Sequence, residues 1–295
     1  MSTAPSVFQI GLAAIRPQTL PAAAAPVCAA SALAYAHGRV HILVTLAALF
    51  GALFIQIFAN LYNDVADFRR GADTPSRLGP DRVTQKGWMS EKQVIWACVV
   101  SVVCALLMGV YLASVGGWPI FVLGLVSLLF AYLYTGGPAP LAYTGLGDVF
   151  VLIFFGEVAV CATYYLITGT VHPGAVVLGL IVGLPTTAIL VVNNLRDQHT
   201  DAQAKKRTLV VRFGTTFGQI EYAVCLLGAQ LVLALGLGFG VLPVGAWVGL
   251  IALPLAVWRV AQLRARSGAA LNPLLGATAR HGLLLSFLVS AGVVL

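Results

Sequence analysis

Long apolar runs separated by short polar stretches divide the chain into nine segments. Each run is close to the roughly 20 residues that a helix needs to cross the apolar core of a bilayer. Because a membrane interior offers the backbone no hydrogen-bonding partners, runs this continuous predict helices rather than strands. The predicted transmembrane helices cover residues 18–36, 42–60, 93–114, 118–135, 148–168, 174–194, 218–239, 243–262 and 279–295.

The composition indicates the same class of protein. Of the 295 residues, 59% are hydrophobic and only 9% are charged, whereas a soluble domain carries roughly 25% charged residues. The chain has too few polar side chains to cover a soluble particle of this size. The composition therefore excludes a disordered protein, a soluble enzyme and a nucleic-acid-binding protein, and it predicts an all-α integral membrane protein of about nine helices.

The basic residues predict an orientation. With nine helices, alternate connections lie on the same side as the N-terminus, and of the 17 basic residues only Arg39 falls on the other side. Cytoplasmic connections are the ones that carry an excess of Lys and Arg. We therefore expect the N-terminus in the cytoplasm and the C-terminus outside.

Aspartates are concentrated in two connections on this same predicted cytoplasmic side, those that follow the second and the sixth helix. The first reads N-L-Y-N-D-V-A-D-F-R-R-G-A-D over residues 60–73, and the second reads N-N-L-R-D-Q-H-T-D over residues 193–201. Both contain polar residues four apart, which share one face of a helix. Their matching positions predict one domain, residues 1–295, with two related halves that face one cavity.

Carboxylates that share a face repel each other unless a cation lies between them. Mg²⁺ is typically held by one or two carboxylates together with water and phosphate oxygens. Basic residues follow both clusters, Arg77 and Arg82 after the first and Lys205, Lys206 and Arg207 after the second. Two such clusters could hold one Mg²⁺ ion each and clamp a diphosphate between them. Solvated loops of mixed charge are the alternative.

Five stretches carry a resemblance to a known family: R-P-Q-T-L-P, N-L-Y-N-D-V-A-D, R-L-G-P-D-R-V-T-Q-K-G, Y-T-G-G-P-A-P-L-A-Y-T-G-L-G-D and N-N-L-R-D-Q-H-T-D-A-Q-A-K-K-R-T-L. They begin at Arg16, Asn60, Arg77, Tyr134 and Asn193. On these motifs the chain resembles the UbiA-type prenyltransferase superfamily, and within it the branch of 1,4-dihydroxy-2-naphthoate polyprenyltransferases (MenA type). They span about the first 215 residues in order, and the last three helices add only hydropathy.

The resemblance implies a UbiA-like bundle around a central cavity, in a bacterial cytoplasmic (inner) membrane. It also implies a Mg²⁺-dependent reaction in menaquinone biosynthesis. The enzyme would transfer a polyprenyl (or phytyl) group from an allylic diphosphate to 1,4-dihydroxy-2-naphthoate, releasing diphosphate and CO₂ and giving demethylmenaquinone. The chemistry requires stabilisation of the leaving diphosphate in a site dry enough to protect an allylic cation from water.

The resemblance also implies roles for individual residues. The catalytic aspartates would be Asp64, Asp67, Asp197 and Asp201, and the diphosphate-binding residues would be Arg77, Arg82 and Lys206. The metal ligands would be Asn63, Asp64, Asp67, Asp73, Asn193, Asp197 and Asp201. The superfamily pattern N-x-x-x-D-x-x-x-D, counted from Asn63, ends here at Gly71, and Asp73 lies two residues further on. Asp64, Asp73 and water therefore remain alternatives for completing the shell of the first metal.

Three more residues are candidates for the pocket of the aromatic acceptor. Tyr134 and Tyr143 flank a Gly/Pro-rich connection, although a structural turn explains them equally well. Glu157 lies well inside the fifth apolar run, where an acid is functional by default because exposure to lipid is costly. A protonated Glu157 bonded to a neighbouring helix is the alternative. Asp148 flanks the same connection and could border this pocket as well, with a simple cap of the fifth helix as the alternative.

Two rival functions remain open. The first is an enzyme of the same class with another acceptor, such as 4-hydroxybenzoate, homogentisate or a porphyrin. The resemblance of the Tyr134–Asp148 and N-N-L-R-D stretches is what disfavours it. A transporter of anionic metabolites belongs to a different class and would place its charged site near the middle of the bilayer. Here the acids gather at one membrane face, which disfavours a transporter, and only Glu157 favours it.

Overall fold

In the computed structural model, residues 5–71 and 78–295 are described, and their regular elements are helices. The predicted site residues Asp73 and Arg77 lie outside the described residues. The α-helices in chain order are α1 Val7–Ile15, α2 Leu20–Ala36, α3 Ile42–Arg69, α4 Glu91–Gly116, α5 Trp118–Leu133, α6 Leu141–Thr144, α7 Gly147–Leu152, α8 Ala159–Thr168, α9 Pro173–Arg196, α10 Gln198–Gln203, α11 Leu209–Phe213, α12 Thr215–Gly238, α13 Leu253–Arg264 and α14 Asn272–Val294.

The described part of the chain contains eight helical segments long and apolar enough to cross a membrane, together with the shorter apolar helix α5. Some of these segments combine an α-helix with a stretch of another helix type. A π-helical stretch, Ile153–Val158, joins α7 to α8, and a 3₁₀ stretch, Val244–Ala252, leads into α13. The prediction of about nine membrane-crossing helices is confirmed.

Two helices extend well beyond their predicted ends. The prediction stops the second helix at residue 60, but α3 continues to Arg69, and α14 begins at Asn272 rather than at residue 279. Hydropathy ends a predicted helix where polar residues begin. In the structure the last turns of α3 remain helical because polar side chains such as Asp64 and Asp67 are buried inside the protein.

The N-terminal helix α1 is separated from α2 by a sharp break. Ser6 caps α1 in a capping box with Gln9. Arg16 then adopts a left-handed backbone conformation with φ of 52°, and a 3₁₀ turn, Pro17–Thr19, leads into α2. This break between α1 and α2 lies beside the last turns of α3, and Arg16 is 3.9 Å from the carboxylate of Asp64.

Glycines let the helix pair α8–α9 and its π-helical stretch pack closely. A Cβ atom added to Gly156 would come within 2.6 Å of the carbonyl oxygen of Gly179 and within 3.0 Å of the Cα of Gly183. Small residues permit such close contacts between membrane helices. The contact fixes α7, and with it Asp148, against α9 near its second acidic motif.

The two acidic motifs meet at one end of the bundle, because α3 and α9 both terminate there. Lys206, which follows the second motif, lies 3.4 Å from Asp67 in the first. We call this end of the bundle, formed by the last turns of α3 and α9 together with residues 197–208, the acidic end.

Candidate active site

A small polar cavity of about 80 Å³ lies at the acidic end. Its walls come from both motifs and from the loop between α5 and α7. The polar side chains among its lining residues are Asn63, Asp67, Arg82, Tyr134, Thr135, Asp148, Asn193, Asn194, Asp197, Thr200, Asp201, Lys206 and Thr208. Seven of the predicted site residues are therefore brought to one cavity from the two motifs and the basic residues after them, and Tyr134 joins them from the α5–α7 loop.

Asp67 contacts three side chains from different parts of the chain. Only 2% of its surface is exposed. One carboxylate oxygen lies 3.3 Å from Nη2 of Arg82, and Nζ of Lys206 lies 3.4 Å from the other. The hydroxyl of Tyr143 donates to Oδ1 of Asp67 at 2.9 Å. Asp67 thus connects α3, the loop after it, the α5–α7 loop and the segment after α10.

Tyr143 is held between two cations. The guanidinium of Arg70 lies 5.2 Å from the centre of its ring, and Nζ of Lys206 lies 4.8 Å from it. Both separations are within the range of cation–π attraction. Burial raises the pKa of the Tyr143 phenol, and the charge of Asp67 raises it further. The phenol therefore stays protonated at neutral pH and acts as the donor to Asp67.

The second motif is organised by Arg196, in the last turn of α9. Arg196 is buried, and its guanidinium donates to both carboxylate oxygens of Asp197 at 2.8 and 2.5 Å. It also donates to the side-chain oxygen of Asn193 and, at 3.0 Å, to that of Asn272 on α14. A bidentate guanidinium fixes the planes of its partners. Arg196 therefore sets the orientation of two predicted metal ligands at once.

Asp201, on α10, adds a fourth carboxylate to the cavity, after those of Asp67, Asp148 and Asp197. Lys206 lies 3.9 Å from it. Burial raises the pKa of Asp201 to about 6, Lys206 opposes the rise, and the charges of Asp197 and Asp67 add to it. Four acids sharing a cavity this small favour the presence of further positive charge between them.

Asp64 has different surroundings from the other motif residues. Its two carboxylate oxygens accept the backbone N–H groups of Val83 and Thr84, each at 3.1 Å. It lies outside the set of described residues that line the polar cavity. The structure thus does not bring Asp64 together with Asp67, Asp197 and Asp201, and instead uses it to attach the loop that carries Arg82.

The donor set of the cavity fits Mg²⁺. In the described structure Oδ1 of Asn63 is buried without a hydrogen-bond partner, which leaves an oxygen available as a ligand. Among the described residues no three Asp, Glu, His or Cys side chains are close enough to hold a metal ion by themselves. Mg²⁺ does not require such a cage, because it typically binds one or two carboxylates and takes its other oxygens from water and from the substrate's phosphates.

A second, apolar cavity of about 460 Å³ lies next to the polar one, inside the bundle. Most of its lining comes from α2, α3, α4, α5, α8 and α9 and from the π-helical stretch. Five residues line both cavities: Asn63, Arg82, Tyr134, Leu190 and Asn193. A molecule with a charged head and a long apolar tail can therefore place each part in matching surroundings.

The three candidates for the acceptor pocket occupy different places. Tyr134 lies in the wall shared by the two cavities, and Tyr143 lies beside Asp67. Glu157 packs against Gly179 of α9, where an added Cβ atom would lie 3.0 Å from its carboxyl group. Glu157 is not among the described residues that line either cavity.

Some residues at the site carry no clear mark in the sequence. Arg196 lies three residues after Asn193, a spacing that places both on one helix face and that could have identified it. Asp148, for which the sequence left a pocket residue and a helix cap as alternatives, lines the polar cavity and accepts a hydrogen bond from Asn194 at 3.4 Å. Arg70 donates to the backbone oxygens of Thr135 and Gly137, a contact that depends on tertiary structure.

The helical membrane bundle joins a cavity lined by acids and bases to a larger apolar cavity. This arrangement suits an enzyme whose substrate is an amphiphilic anion. The family comparison agrees with this class. The chain belongs to the UbiA prenyltransferase family, whose model matches residues 23–285.

The chain is also similar to individual proteins, in sequence or in fold. The 1,4-dihydroxy-2-naphthoate octaprenyltransferase of Escherichia coli (strain K12) is 36% identical over 294 residues, covering 97% of this chain and 96% of that protein. The apo structure of a UbiA homolog from Aeropyrum pernix K1 has a TM-score of 0.71 at 14% identity, covering 93% of this chain and 96% of that one. The structure of a UbiA homolog from Archaeoglobus fulgidus bound to GPP and Mg²⁺ has a TM-score of 0.64 at 15% identity, covering 96% and 99%.

Proposed function

We propose that this protein transfers a polyprenyl group from an allylic polyprenyl diphosphate to 1,4-dihydroxy-2-naphthoate. The observation that carries the proposal is the joining of the charged cavity to the apolar one through five shared residues. The relative from Escherichia coli is named for this acceptor and for an octaprenyl donor. We take a long polyprenyl diphosphate as the donor class.

In the reaction the allylic C–O bond breaks and its electron pair leaves with the diphosphate. The electron-rich naphthoate ring forms the new C–C bond, and its carboxylate leaves as CO₂. The product is the hydroquinone form of demethylmenaquinone. Ionisation is the demanding step, because negative charge builds up on the leaving group inside a membrane.

The proposed ligands of Mg²⁺ are Asn63 and Asp67 from the first motif and Asn193, Asp197 and Asp201 from the second. When bound, Mg²⁺ supplies Lewis-acid stabilisation of the charge on the leaving diphosphate. We propose two ions, one for each motif, since the acids that line the polar cavity come both from the end of α3 and from the segment that follows α9.

The basic residues have a separate task in this proposal. Arg82 and Lys206 both pair with Asp67 and both line the polar cavity. When diphosphate and metal are present, their N–H groups can turn from the carboxylate to the phosphate oxygens. Arg196 stays with Asn193 and Asp197 and holds them in position.

The shared wall is the proposed place of the chemistry. A donor whose diphosphate lies in the polar cavity and whose tail lies in the apolar one places its allylic carbon near Tyr134 and Leu190. Three rings, those of Phe130, Phe150 and Phe154, pack against one another with centroids 4.7–5.9 Å apart and line the adjoining apolar cavity. Such faces exclude water and stabilise positive charge.

The enzyme as proposed is a single-domain protein of a bacterial cytoplasmic membrane, with the acidic end on the cytoplasmic side. The helices show a multi-pass membrane protein. The orientation rests on the basic residues, since the sequence predicts only Arg39 of the 17 for the side opposite the N-terminus.

The test is transfer of a labelled prenyl group by the purified protein in detergent. The assay offers 1,4-dihydroxy-2-naphthoate and 4-hydroxybenzoate side by side, with Mg²⁺ or with EDTA. The variants are Asp67→Ala and Asp197→Ala, and the matched control is Asp81→Ala, because Asp81 forms an exposed ion pair with Lys86.

We expect prenylated product from the naphthoate alone, dependent on Mg²⁺, absent in both site variants and retained in Asp81→Ala. Product from the benzoate instead would agree with the proposed metal site but would refute the naphthoate as acceptor. No transfer to either acceptor by folded protein would favour the transporter.

A further inference from the structure

Helices α13 and α14 and the turn between them carry positive charge and no acidic side chain. After Glu221 the chain contains no Asp or Glu, and its only Lys or Arg residues there are Arg259, Arg264, Arg266 and Arg280. In the described part of the chain none of these four arginines takes part in a salt bridge. Their charge therefore has no counter-ion among the described residues.

Three of these arginines lie near one another. The charges of Arg266 and Arg280 both act on that of Arg259, so the end of α13, the turn after it and α14 bring their guanidinium groups together. We call Arg259, Arg266 and Arg280 the arginine cluster. Like charges that lie close together repel each other, and an anion between them relieves the repulsion.

Arg280 faces the lipid but reaches back toward the start of its helix. It is exposed, and it shares one face of α14 with Leu284 and Phe287, which are exposed as well. A Cβ atom added to Gly276 would lie 3.5 Å from Nη1 of Arg280, so the guanidinium lies about one turn nearer to Asn272 than its own Cα atom does. Arginines near the ends of membrane helices direct their charge to the head groups in this way.

The arginine cluster lies at the depth of the lipid head groups. Asn272, the first residue of α14, accepts a hydrogen bond from Arg196 at the acidic end. From Asn272 to Arg280 the helix rises about 12 Å, and the side chain returns by one turn of about 5 Å, which leaves it close to an interfacial layer of roughly 5–7 Å. Trp258 is half exposed, and the guanidinium of Arg259 lies 4.5 Å from the centre of its ring. Tryptophan is enriched at this level of a membrane.

Buried polar atoms without a partner lie beside the arginine cluster. His281 is only 1% exposed, and in the described structure neither of its ring nitrogens has a hydrogen-bond partner. Within the same described residues, Nε of Arg259 is also buried and unpaired, and the charge of Arg259 acts on His281. A buried donor without an acceptor destabilises a protein. These N–H groups therefore fit an anion that offers several acceptor oxygens.

We propose that the arginine cluster binds the phosphate of an anionic phospholipid, in the leaflet on the side of the acidic end. A phosphodiester offers oxygens that guanidinium groups bind in pairs, and its acyl chains fit along the exposed apolar face of α14 that contains Leu284 and Phe287. Basic pockets between membrane helices bind head groups of this kind. In the described structure the cluster lines neither cavity, so the proposal does not depend on the prenyl donor.

The first test measures lipid binding by the purified, delipidated protein in a neutral detergent. The probe is dioleoyl phosphatidylglycerol, compared with dioleoyl phosphatidylcholine, which has the same chains without net charge, and with glycerol 3-phosphate, which has no chains. Thermal unfolding and native mass spectrometry are the readouts. The site variants are Arg259→Gln and Arg280→Gln. Arg264→Gln is the matched control, because Arg264 is exposed on α13 and lies outside the arginine cluster.

We expect phosphatidylglycerol alone to raise the melting temperature, by several degrees. Both site variants should weaken its binding about fivefold or more, and Arg264→Gln should leave it unchanged. Equal weakening in all three variants would overturn the proposal, because only the total charge would then matter. Equal stabilisation by phosphatidylcholine, or by glycerol 3-phosphate alone, would overturn it as well, since the site would then not select an anionic lipid.

The second test uses the unmodified protein in lipid nanodiscs and does not depend on the folding of any variant. Phosphatidylglycerol with a diazirine on its head group is photolysed, and the labelled peptides are identified by mass spectrometry. The expected labels fall on residues 258–266 and 276–284. Labels confined to the other basic segments, residues 86–92 and 205–212, would overturn the proposal. Neither test measures prenyl transfer, so failure of the proposed function would leave both results readable.

Discussion

The hydroxyl of Tyr143 donates a hydrogen bond of 2.9 Å to Oδ1 of Asp67, which joins the loop between α5 and α7 to the first acidic motif. The same tyrosine ring lies between the cations of Arg70 and Lys206. Tyr143 therefore links both acidic motifs through one side chain. Its place suggests that it positions Asp67, whereas the sequence had made it a candidate for the acceptor pocket.

Replacing Tyr143 separates these two contributions. Tyr143→Phe removes the hydrogen bond and keeps the ring between the cations. A hydrogen bond to a charged group contributes about 1.5–3 kcal/mol, so we expect a loss of roughly tenfold or more in kcat/KM for the donor. Tyr143→Ala removes the ring as well and should cost more. The measurement is steady-state transfer at several Mg²⁺ concentrations.

The control for these variants is Tyr35→Phe, because Tyr35 is exposed near the opposite end of the bundle. A changed apparent affinity for Mg²⁺ in Tyr143→Phe would support the positioning of Asp67. A change confined to the KM of the naphthoate would instead return Tyr143 to the acceptor pocket.

Replacing Asp64 is predicted to lower stability, whereas replacing Asp67 is predicted to lower kcat. Asp64→Asn removes one of the oxygens that accept the N–H groups of Val83 and Thr84, and each such bond is worth about 1.5–3 kcal/mol. We expect a melting temperature lower by several degrees and appreciable activity in the folded fraction. Asp67→Asn should stay folded and lose roughly 10²-fold or more in kcat.

Thermal unfolding in detergent and kcat at a permissive temperature measure the two effects. If Asp64→Asn abolished transfer without lowering the melting temperature, Asp64 would belong to the catalytic group after all, as the motif alone predicts.

The difference between these two aspartates shows what the sequence could and could not predict. Residues 63 and 67 lie about 40° apart around a helix and residues 64 and 67 about 60° apart, so spacing alone puts all three near one face. Which of them faces the cavity depends on where residues 78–84 fold back against α3. That contact involves backbone N–H groups, which any sequence provides.

The number of membrane-crossing helices and the pairing of the two motifs could be predicted because neither depends on such a tertiary contact. Hydropathy and helical spacing are local properties, and the motifs come together whenever two helices end on the same side. The predicted end of α3 was wrong because polar residues buried inside a bundle look, in a sequence, like residues in water. The apolar lining of the cavity has no sequence signal of its own among so many apolar residues.

The orientation in the membrane gives a further prediction. Single cysteines introduced at Arg39 and Lys86, both exposed, should lie on opposite sides of the bilayer. In right-side-out vesicles a membrane-impermeant maleimide should label Arg39→Cys, and in inverted vesicles it should label Lys86→Cys. The parent protein gives the background from the native cysteines. The reverse pattern would place the acidic end outside the cytoplasm.

Glu157 is expected to matter for packing more than for chemistry. Its carboxyl group lies against Gly179, and Oε2 lies 3.9 Å from the sulfur of Cys161. Glu157→Gln keeps its size and polarity, so we expect transfer activity close to that of the unmodified protein. Gly179→Ala would put a Cβ atom 3.0 Å from the carboxyl group and should destabilise the protein. A large loss of kcat in Glu157→Gln at unchanged stability would contradict this assignment.

Arg196 is predicted to be the most sensitive basic residue outside the diphosphate-binding pair. Its guanidinium holds Asn193 and Asp197 on one side and Asn272 on the other. Arg196→Lys keeps the charge but loses the planar fork, so Asn193 and Asp197 are free to rotate. A misplacement of about 1 Å costs roughly 10²-fold in rate. We therefore expect a loss of that size in kcat, measured by single-turnover transfer.

The control is Arg264→Lys, because Arg264 is exposed in the last turn of α13. If Arg196 acted only through its charge, Arg196→Lys would retain activity and Arg196→Gln would not. If it acts through geometry, both variants fail alike, and extra Mg²⁺ restores part of the activity, because weaker metal binding can be offset by a higher metal concentration. Loss of activity in both variants with no response to Mg²⁺ would instead indicate that Arg196 contacts the substrate itself.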